Sequence, residues 1–278
     1  MSPFLVTFGL FTVVPLTQSL VLAFQQTFGP EYTRWVGLAN FLNLMHDPDF
    51  WTAVRNTFTY AVLSVALGMP LSLGLAMMLN RPSLKGRSVF RLIFFMPSLV
   101  GLVFVAMIFQ LLFGRSKGLI NEVLHEVVPG FPPEFPWLEE HVMASLILVS
   151  LWLYVGFNMI YFLAALQNVS QDLLEAAEID GANAWQRFWH VTLPEIRPVF
   201  GFVMLISAIG SLQLFELPYI LLDQTAGPEN RGLTVVMYLY QNGFEQNDLG
   251  YASAIGWVLA IFLIIVAIIQ RRLLESNR

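Results

Sequence analysis

The residues best placed to do chemistry in this 278-residue chain are polar side chains that lie inside long apolar runs. Tyr154 and Asn158 are four residues apart in one run, and Ser207 and Ser211 have the same spacing in the next. Side chains four residues apart share one face of a helix. Such a face offers hydrogen bonds to a hydroxyl-bearing ligand, and a nearby indole can stack on the apolar side of a ring. The set predicted for this polar path is Ser98, Ser150, Trp152, Tyr154, Asn158, Ser207, Ser211, Gln213 and Glu216.

The same polar groups have a simpler interpretation. Serine in a membrane helix more often hydrogen-bonds a neighbouring helix than a ligand. Glu216, two residues before Pro218, can bind a ligand, pair with an arginine of another subunit, or lie exposed at the end of its run. The sequence alone leaves these interpretations open.

A second candidate site is the polar stretch EAAEIDGANAWQRFWHVTLP, residues 175–194, which separates two apolar runs. Ser170 can cap a first short helix, and Gly181 can end it, because glycine readily adopts the left-handed conformation that follows many helices. Asn183 and Gln186 have the spacing of a capping box for a second helix. The stretch is therefore predicted to be a helix-loop-helix.

The end of this stretch predicts the start of the next long helix. Thr192 and Glu195 again have capping-box spacing, with Pro194 in the first turn. The exposed charge upstream is acidic, whereas helices that lie on lipid favour a Lys- and Arg-rich face, so a protein partner is favoured. The residues predicted to contact that partner are Glu175, Ala176, Ala177, Asp180, Gly181, Ala182, Leu193 and Pro194.

Composition places both candidate sites in a membrane protein. Mean hydropathy is +0.66 and only 12% of residues are charged, against about a quarter in a soluble protein. Apolar runs long enough to cross a bilayer predict an all-α integral membrane fold with six transmembrane helices in one domain, residues 1–278. The predicted spans are 3–24, 57–79, 90–113, 142–166, 199–222 and 250–270, and the polar loop is 170–197.

The distribution of Lys and Arg predicts the orientation, because these residues accumulate on the cytoplasmic side of a membrane. With both termini inside, nine of the 14 basic residues are cytoplasmic, four of them in the loop NRPSLKGRSVFR and others in the tail RRLLESNR. The predicted outer segments carry most of the acidic residues. The polar loop 170–197 is then cytoplasmic.

The sequence lacks the residues that several classes of function require. There is no cysteine, and no G-x-x-x-x-G-K-[ST] motif that would cradle ATP phosphates. The four histidines are scattered and no H-E-x-x-H occurs, which argues against a membrane-bound enzyme. An ion-coupled secondary transporter needs carboxylates near the middle of the membrane and internal inverted repeats. Among the carboxylates of this sequence, only Glu216 qualifies for the first requirement.

The polar stretch resembles the EAA loop of binding-protein-dependent ABC transporter permeases. The resemblance rests on EAA at 175–177, DGA at 180–182, Phe188, and VTLP at 191–194. GLANFLNLMHDPDFWTAVRNTFTY, LKGRSVFRLIFFMPSLV and LLDQTAGPENRGLT are similar to segments of carbohydrate permeases of the maltose-permease class. In the last of these, Ala226 stands where the family usually has glycine.

This resemblance implies a type I ABC importer permease whose cytoplasmic helix-loop-helix fits a groove of an ATPase subunit. It implies a non-catalytic subunit, in the inner membrane of a prokaryote, that pairs with a second, non-identical permease, two ATPase subunits and an extracytoplasmic solute-binding protein. The ATPase subunits would bind ATP and Mg²⁺, while this chain would bind no cofactor and no nucleic acid.

The resemblance also implies a substrate class. The expected substrate is a mono- or oligosaccharide, with Ser150, Ser207 and Ser211 at positions that match sugar-contacting positions of maltose-type permeases. A glycerol phosphate or another polyol derivative is the alternative substrate.

Overall fold

The structure is a computed structural model that describes residues 2–28, 32–81 and 83–275. The last three residues of the basic tail lie outside this part of the chain. The helices of the first half are α1 Ser2–Phe8, α2 Val14–Leu22, α3 Ala39–His46, α4 Pro48–Asn80, α5 Arg87–Phe95, α6 Leu102–Leu112 and α7 Leu119–Val127. Those of the second half are α8 Val142–Gln167, α9 Gln171–Ile179, α10 Ala184–Arg187, α11 Leu193–Leu212, α12 Glu216–Leu221, α13 Val235–Tyr240 and α14 Leu249–Glu275.

The predicted all-α membrane class is confirmed. In the described residues, five helices are long and apolar enough to cross a membrane, and a bent pair raises the number to as many as six. The five are Pro3–Leu22, Pro48–Asn80, Val142–Gln167, Ala184–Leu212 and Leu249–Arg272. The sequence did not predict the antiparallel strand pair that the described residues contain, β1 Gln25–Phe28 with β2 Tyr32–Trp35.

Two of these long helices pass through a proline by means of a wide π-helical turn. The turn Gly9–Val13 comes just before Pro15, and the turn Phe188–Thr192 just before Pro194. Proline has no N–H to donate, and its ring crowds the carbonyl four residues earlier. The extra residue in the turn relieves this conflict, so each helix continues without a break.

The bent pair corrects the expectation of one continuous helix over residues 90–113. α5 tightens into a 3₁₀ turn at Met96–Leu99, and α6 then leaves at an angle of 97°. Pro97 cannot donate to the helix ladder, and Val100 has an extended backbone (ψ 132°), so the helix stops there.

The expected span 199–222 also differs from the structure, because α11 ends at Leu212. Pro218 has no N–H with which to bond the Leu214 carbonyl four residues earlier. That carbonyl instead accepts the Thr234 hydroxyl at 2.7 Å. The chain therefore turns, and a separate helix, α12, begins at Glu216.

The span expected at 57–79 begins nine residues earlier, at Pro48. Asp47 causes this early start, because its Oδ1 accepts the backbone N–H groups of Asp49 at 3.0 Å and Phe50 at 3.4 Å. A carboxylate at this position satisfies donors that the first turn of a helix leaves unpaired.

The chain divides into two compact units. The first comprises Met1–Phe58 and Gln213–Val266, and the second Thr59–Leu212 and Ala267–Arg278. In the first unit, a core that includes Leu44, Phe50, Leu233, Met237 and Ile255 joins α3, the start of α4, α13 and α14.

The core of the second unit joins α4, α8 and α11. Its buried side chains include Met69, Met159, Phe162, Ile196 and Val203. Gln270 of α14 donates to the Gly201 carbonyl at 3.0 Å, which satisfies a polar side chain that is only 8% exposed. This core supports the polar loop described next.

Candidate functional site

The predicted helix-loop-helix is present in the second unit as a hairpin of α9 and α10, here called the acidic hairpin (residues 171–192). Gly181 follows the end of α9 with φ +83°. Its N–H donates to the Glu178 carbonyl at 3.0 Å, and the Ala182 N–H donates to the Ala177 carbonyl at 2.9 Å. These two bonds form a Schellman motif, so the predicted role of Gly181 in ending the helix is confirmed.

The second arm of the acidic hairpin begins with the capping box expected from the sequence. The Gln186 N–H donates to Asn183 Oδ1 at 2.9 Å, and the Asn183 N–H donates to Gln186 Oε1 at 2.8 Å. Arg187 and Glu178 join the two arms with an ion pair of 2.5 Å. That pair is largely exposed and contributes little stability, so the turn is held mainly by its backbone bonds.

Of two other expectations for this segment, one is confirmed only in its position and the other is wrong. Ser170 is the N-cap residue of α9, but its side chain makes no capping hydrogen bond. Thr192 lies inside the π-helical turn and is not the start of a helix, because the helix runs on from Ala184 to Leu212. The widened turn tolerates Pro194, which removes the need for a new helix start.

The acidic hairpin is attached to the core of the second unit on one side and open on the other. Leu174, Phe188 and Leu193 pack against that core. Ile179 is 86% exposed and Trp185 is 69% exposed, both on the open side. Large exposed apolar side chains of this kind are typical of surfaces that bind another protein or a membrane.

A concave surface of about 310 Å³ lies between the arms of the acidic hairpin. It is lined by small and polar residues, namely Ala177, Asp180, Gly181, Ala182, Gln186, Arg187, His190 and Val191. Glu175, Ala176 and Pro194, also predicted to contact a partner, are exposed. A ridge from another protein can therefore approach the backbone at this turn.

The structure brings together part of the predicted polar path on α8 and α11 of the second unit. Asn158 Nδ2 donates to the Ser207 hydroxyl at 3.2 Å. Ser211 shares a hydrogen bond of 3.2 Å with Ser64 of α4. These contacts tie three helices and leave further hydrogen-bonding capacity on each hydroxyl.

Other residues of the predicted path are placed differently. Ser150 is 3% exposed and donates to the Ile147 carbonyl of its own helix at 2.9 Å. Ser98 similarly donates to the Phe95 carbonyl at 2.7 Å. Trp152 and Tyr154 are 46% and 45% exposed, and the Trp152 ring contacts Phe109 edge-on at 5.3 Å. Ser150 and Ser98 therefore serve their own helices in this structure.

Gln213 and Glu216 belong to the first unit. Both side chains are exposed, and Glu216 lies in the first turn of α12. A carboxylate in the first turn of a helix is favoured by the helix dipole.

The sequence reasoning missed Gly156, in the middle of α8. A Cβ built on Gly156 would lie 1.7 Å from the carbonyl oxygen of Phe94, at the end of α5. The backbones of α5 and α8 can meet this closely only because the residue is glycine. The single glycine inside an apolar run was the available signal.

A carboxylate network around Asp47 in the first unit was also missed. Asp47 Oδ2 accepts the hydroxyl of Tyr251 at 2.6 Å and that of Tyr238. Burial acts to raise the pKa of Asp47, but these two hydroxyls and the N–H groups of Asp49 and Phe50 outweigh it and hold the pKa below its usual value of 3.8. The network therefore keeps Asp47 ionised while it joins α4, α13 and α14.

Comparison with known proteins agrees with this architecture. The family model for binding-protein-dependent transport system inner membrane components matches residues 68–277. The arabinooligosaccharides transport system permease protein AraP of Bacillus subtilis (strain 168) is 39% identical over 99% of this chain and 87% of its own length. The lactose transport system permease protein LacF of Rhizobium radiobacter is 34% identical over 97% of this chain and 90% of its own.

A solved structure has the same fold. It is the crystal structure of a bacterial ABC transporter involved in the import of the acidic polysaccharide alginate, in which one chain superposes with a TM-score of 0.85. The two chains are 26% identical, and the match covers 99% of this chain and 93% of the other. This chain therefore belongs to the family of binding-protein-dependent transport system inner membrane components, a family of multi-pass membrane permeases.

Proposed function

We propose that this chain is one permease subunit of an ATP-driven ABC importer for a mono- or oligosaccharide. The substrate class is supported by the relatives that carry arabinooligosaccharides and lactose. The polar path on α8 and α11 offers amide and hydroxyl groups to sugar hydroxyls, centred on Asn158, Ser207 and Ser211. A glycerol phosphate or another polyol derivative is the alternative substrate.

The single observation that carries the coupling role is the acidic hairpin itself. Its turn is fixed by a Schellman motif and a capping box, and its tip exposes Ile179 and Trp185. Because Ala184–Leu212 forms one unbroken helix, a force applied at the hairpin moves Ser207 and Ser211 with it. The proposed partner at this surface is a cytoplasmic ATPase subunit.

The proposed assembly contains one copy of this chain, a second and non-identical permease, two ATPase subunits and an extracytoplasmic solute-binding protein, in the inner membrane of a prokaryote. Both termini of this chain are cytoplasmic in this proposal. The subunit is non-catalytic and binds no cofactor of its own, whereas the ATPase subunits bind ATP and Mg²⁺. Closure of the two ATPase subunits then switches the polar path from an inward-open to an outward-open arrangement.

Reconstitution of the complete complex in proteoliposomes tests this function. The cognate solute-binding protein is supplied outside, and uptake of labelled arabinotriose, lactose and glycerol 3-phosphate is measured. We expect uptake of a sugar that requires both internal ATP and the binding protein. Uptake of glycerol phosphate instead would select the alternative substrate, and uptake driven by an ion gradient without the ATPase would overturn the proposal.

A further inference from the structure

The connection between α4 and α5 in the second unit carries several basic residues and no acidic one. The described part of this connection and the first turns of α5, residues 81 and 83–91, are here called the basic elbow. The nearest acidic residues along the chain are Asp49 and Glu122. Because the basic elbow joins the candidate span α4 to the bent pair α5 and α6, it lies at a membrane surface. Its basic residues are Arg81, Lys85, Arg87 and Arg91.

The backbone of the basic elbow is held in place by the second unit. The Leu84 N–H donates to the Arg81 carbonyl at 3.3 Å, and the Leu84 side chain packs against the core of that unit. Arg91 Nη2 donates to the Leu79 carbonyl at 3.0 Å, which ties α5 to the last turn of α4. The positions that carry the basic side chains are therefore fixed before any ligand binds.

The positive charge of the basic elbow is not compensated within the part of the chain that the structure describes. There, none of its four basic residues forms an ion pair with a carboxylate. Arg91 is partly buried, and its Nε is buried without a hydrogen-bond partner among the described residues. Lys85 and Arg87 are exposed, and Arg87 lies one turn before Arg91 on the same face of α5. Since a partly buried charge without a counter-ion is costly, the basic elbow favours an anion from outside the chain.

Exposed apolar side chains of α5 begin within one turn of these charges. Val89, Phe90 and Ile93 are all exposed, in a helix pair apolar enough to enter the membrane. A basic polar face beside exposed apolar side chains is typical of a helix segment at the boundary between headgroups and acyl chains. A free phosphate or an acidic soluble protein would match only the charges. An anionic phospholipid matches both the charges and the apolar side chains.

We propose that the basic elbow is a binding site for an anionic phospholipid. Its phosphodiester accepts charge-assisted hydrogen bonds from Lys85, Arg87 and Arg91, and its acyl chains lie along the exposed apolar side chains of α5. Basic residues at a membrane surface attract anionic lipids through this combination of charge and depth. The site is separate from the acidic hairpin and the polar path, and it does not depend on which solute is carried.

Photocrosslinking on the complete permease–ATPase complex in phosphatidylcholine nanodiscs tests the site. Phosphatidylglycerol and phosphatidylcholine probes with the same photoreactive acyl chain are added separately, and labelled peptides are mapped by mass spectrometry. We expect the phosphatidylglycerol probe to label residues 83–96 about fivefold more than the phosphatidylcholine probe, and the double variant K85Q/R87Q to remove this excess. The variant keeps Arg91, so the bond between α5 and the end of α4 stays in place.

The double variant R115Q/K117Q is the matched control, because it also removes two exposed basic residues two positions apart, from the loop after α6. It should leave the excess at residues 83–96 unchanged. Equal labelling by the two probes, or the same loss in both double variants, would overturn the site. Displacement of the phosphatidylglycerol probe by inorganic phosphate would overturn the lipid as its ligand, and absence of labelling by either probe would show that a protein covers the basic elbow instead.

Discussion

Two glycines of the second unit meet different physical requirements. A Cβ on Gly181 would meet nothing within 4 Å, but the backbone there has φ +83°, which side-chain-bearing residues rarely adopt. Gly156 has ordinary helical geometry, but a Cβ would collide with the Phe94 carbonyl. Gly181 is needed for its left-handed conformation, whereas Gly156 is needed because it has no Cβ. Different substitutions should therefore be tolerated at the two positions.

Gly181→Leu is expected to uncouple ATP hydrolysis from uptake. The left-handed conformation costs a branched side chain about 1–2 kcal/mol, and the new side chain also fills the concave surface. We expect uptake to fall about tenfold or more in proteoliposomes, with normal membrane insertion. Gly181→Asn should keep most uptake, because asparagine tolerates this conformation. Unchanged uptake in Gly181→Leu would count against a docking role for the turn.

Gly156→Ala is expected to destabilise the protein even though alanine favours helix. The added methyl group must displace the Phe94 backbone, and such overpacking costs about 1–3 kcal/mol or more. Gly74→Ala is the matched control, because a Cβ there meets nothing within 4 Å. Thermal unfolding in detergent should show a lower Tm for Gly156→Ala and an equal or higher Tm for Gly74→Ala; equal values for both would refute the close contact.

The Asp47 network predicts a pH-dependent stability. Because the folded pKa of Asp47 lies below the usual 3.8, its contribution is complete above that pH and is lost as the pH falls through the folded pKa. Asp47→Asn should therefore lower the unfolding free energy at pH 7 by about 1 kcal/mol, after allowance for solvent screening. The gap between the two proteins should narrow below pH 3.8; a gap independent of pH would exclude the charge as its cause.

Helix ends and prolines set the limits of what the sequence predicts at the scale of elements. The Asn183–Gln186 capping box and the Gly181 turn were predicted correctly, because each depends on contacts within five residues. The start expected at Thr192 and the continuous helix expected over 90–113 were wrong, because both depended on how a proline is accommodated. A helix can widen and continue at a proline, as at Pro194, or break beyond it, as after Pro97, and packing decides between these outcomes.

The acidic hairpin predicts a specific crosslink. The chain has no cysteine, so single-cysteine variants can be made without a background. Ile179→Cys, at a position 86% exposed, should crosslink to a cysteine in the groove of the ATPase subunit, and ATP should change the yield. Ile264→Cys on α14 is the control, since Ile264 is also exposed but lies in a candidate span. A crosslink of Ile264 with equal yield, or none at Ile179, would contradict the proposed docking.

For the whole molecule, composition and charge predicted the membrane class, and the EAA motif indicated the family, because these signals are averaged over many residues or fixed by spacing. Contacts between distant segments left no such signal. Examples are the Ser64–Ser211 bond, the Gly156–Phe94 contact and the Asp47 network. A hydroxyl or glycine in an apolar run does not specify its partner, so most of the polar path had to be placed by the structure.

The orientation of the whole chain predicts which loops a membrane-impermeant thiol reagent can reach. In intact cells or right-side-out vesicles, Lys117→Cys should be labelled from outside, and Lys85→Cys only after the membrane is permeabilised. These positions lie on opposite sides when both termini are cytoplasmic. The reverse labelling pattern would place the acidic hairpin outside and rule out contact with a cytoplasmic ATPase.

The unbroken helix from Ala184 to Leu212 also fixes a rotational phase. An α-helix advances about 100° per residue, so one residue inserted between Pro198 and Ser207 would turn the serine hydroxyls away from Asn158 while the hairpin stays docked. An insertion of seven residues would nearly restore the azimuth, at the cost of about 10 Å of added length. The number of residues between the docking turn and the serine hydroxyls is therefore constrained, whereas the exposed side chains along this helix are not constrained in this way.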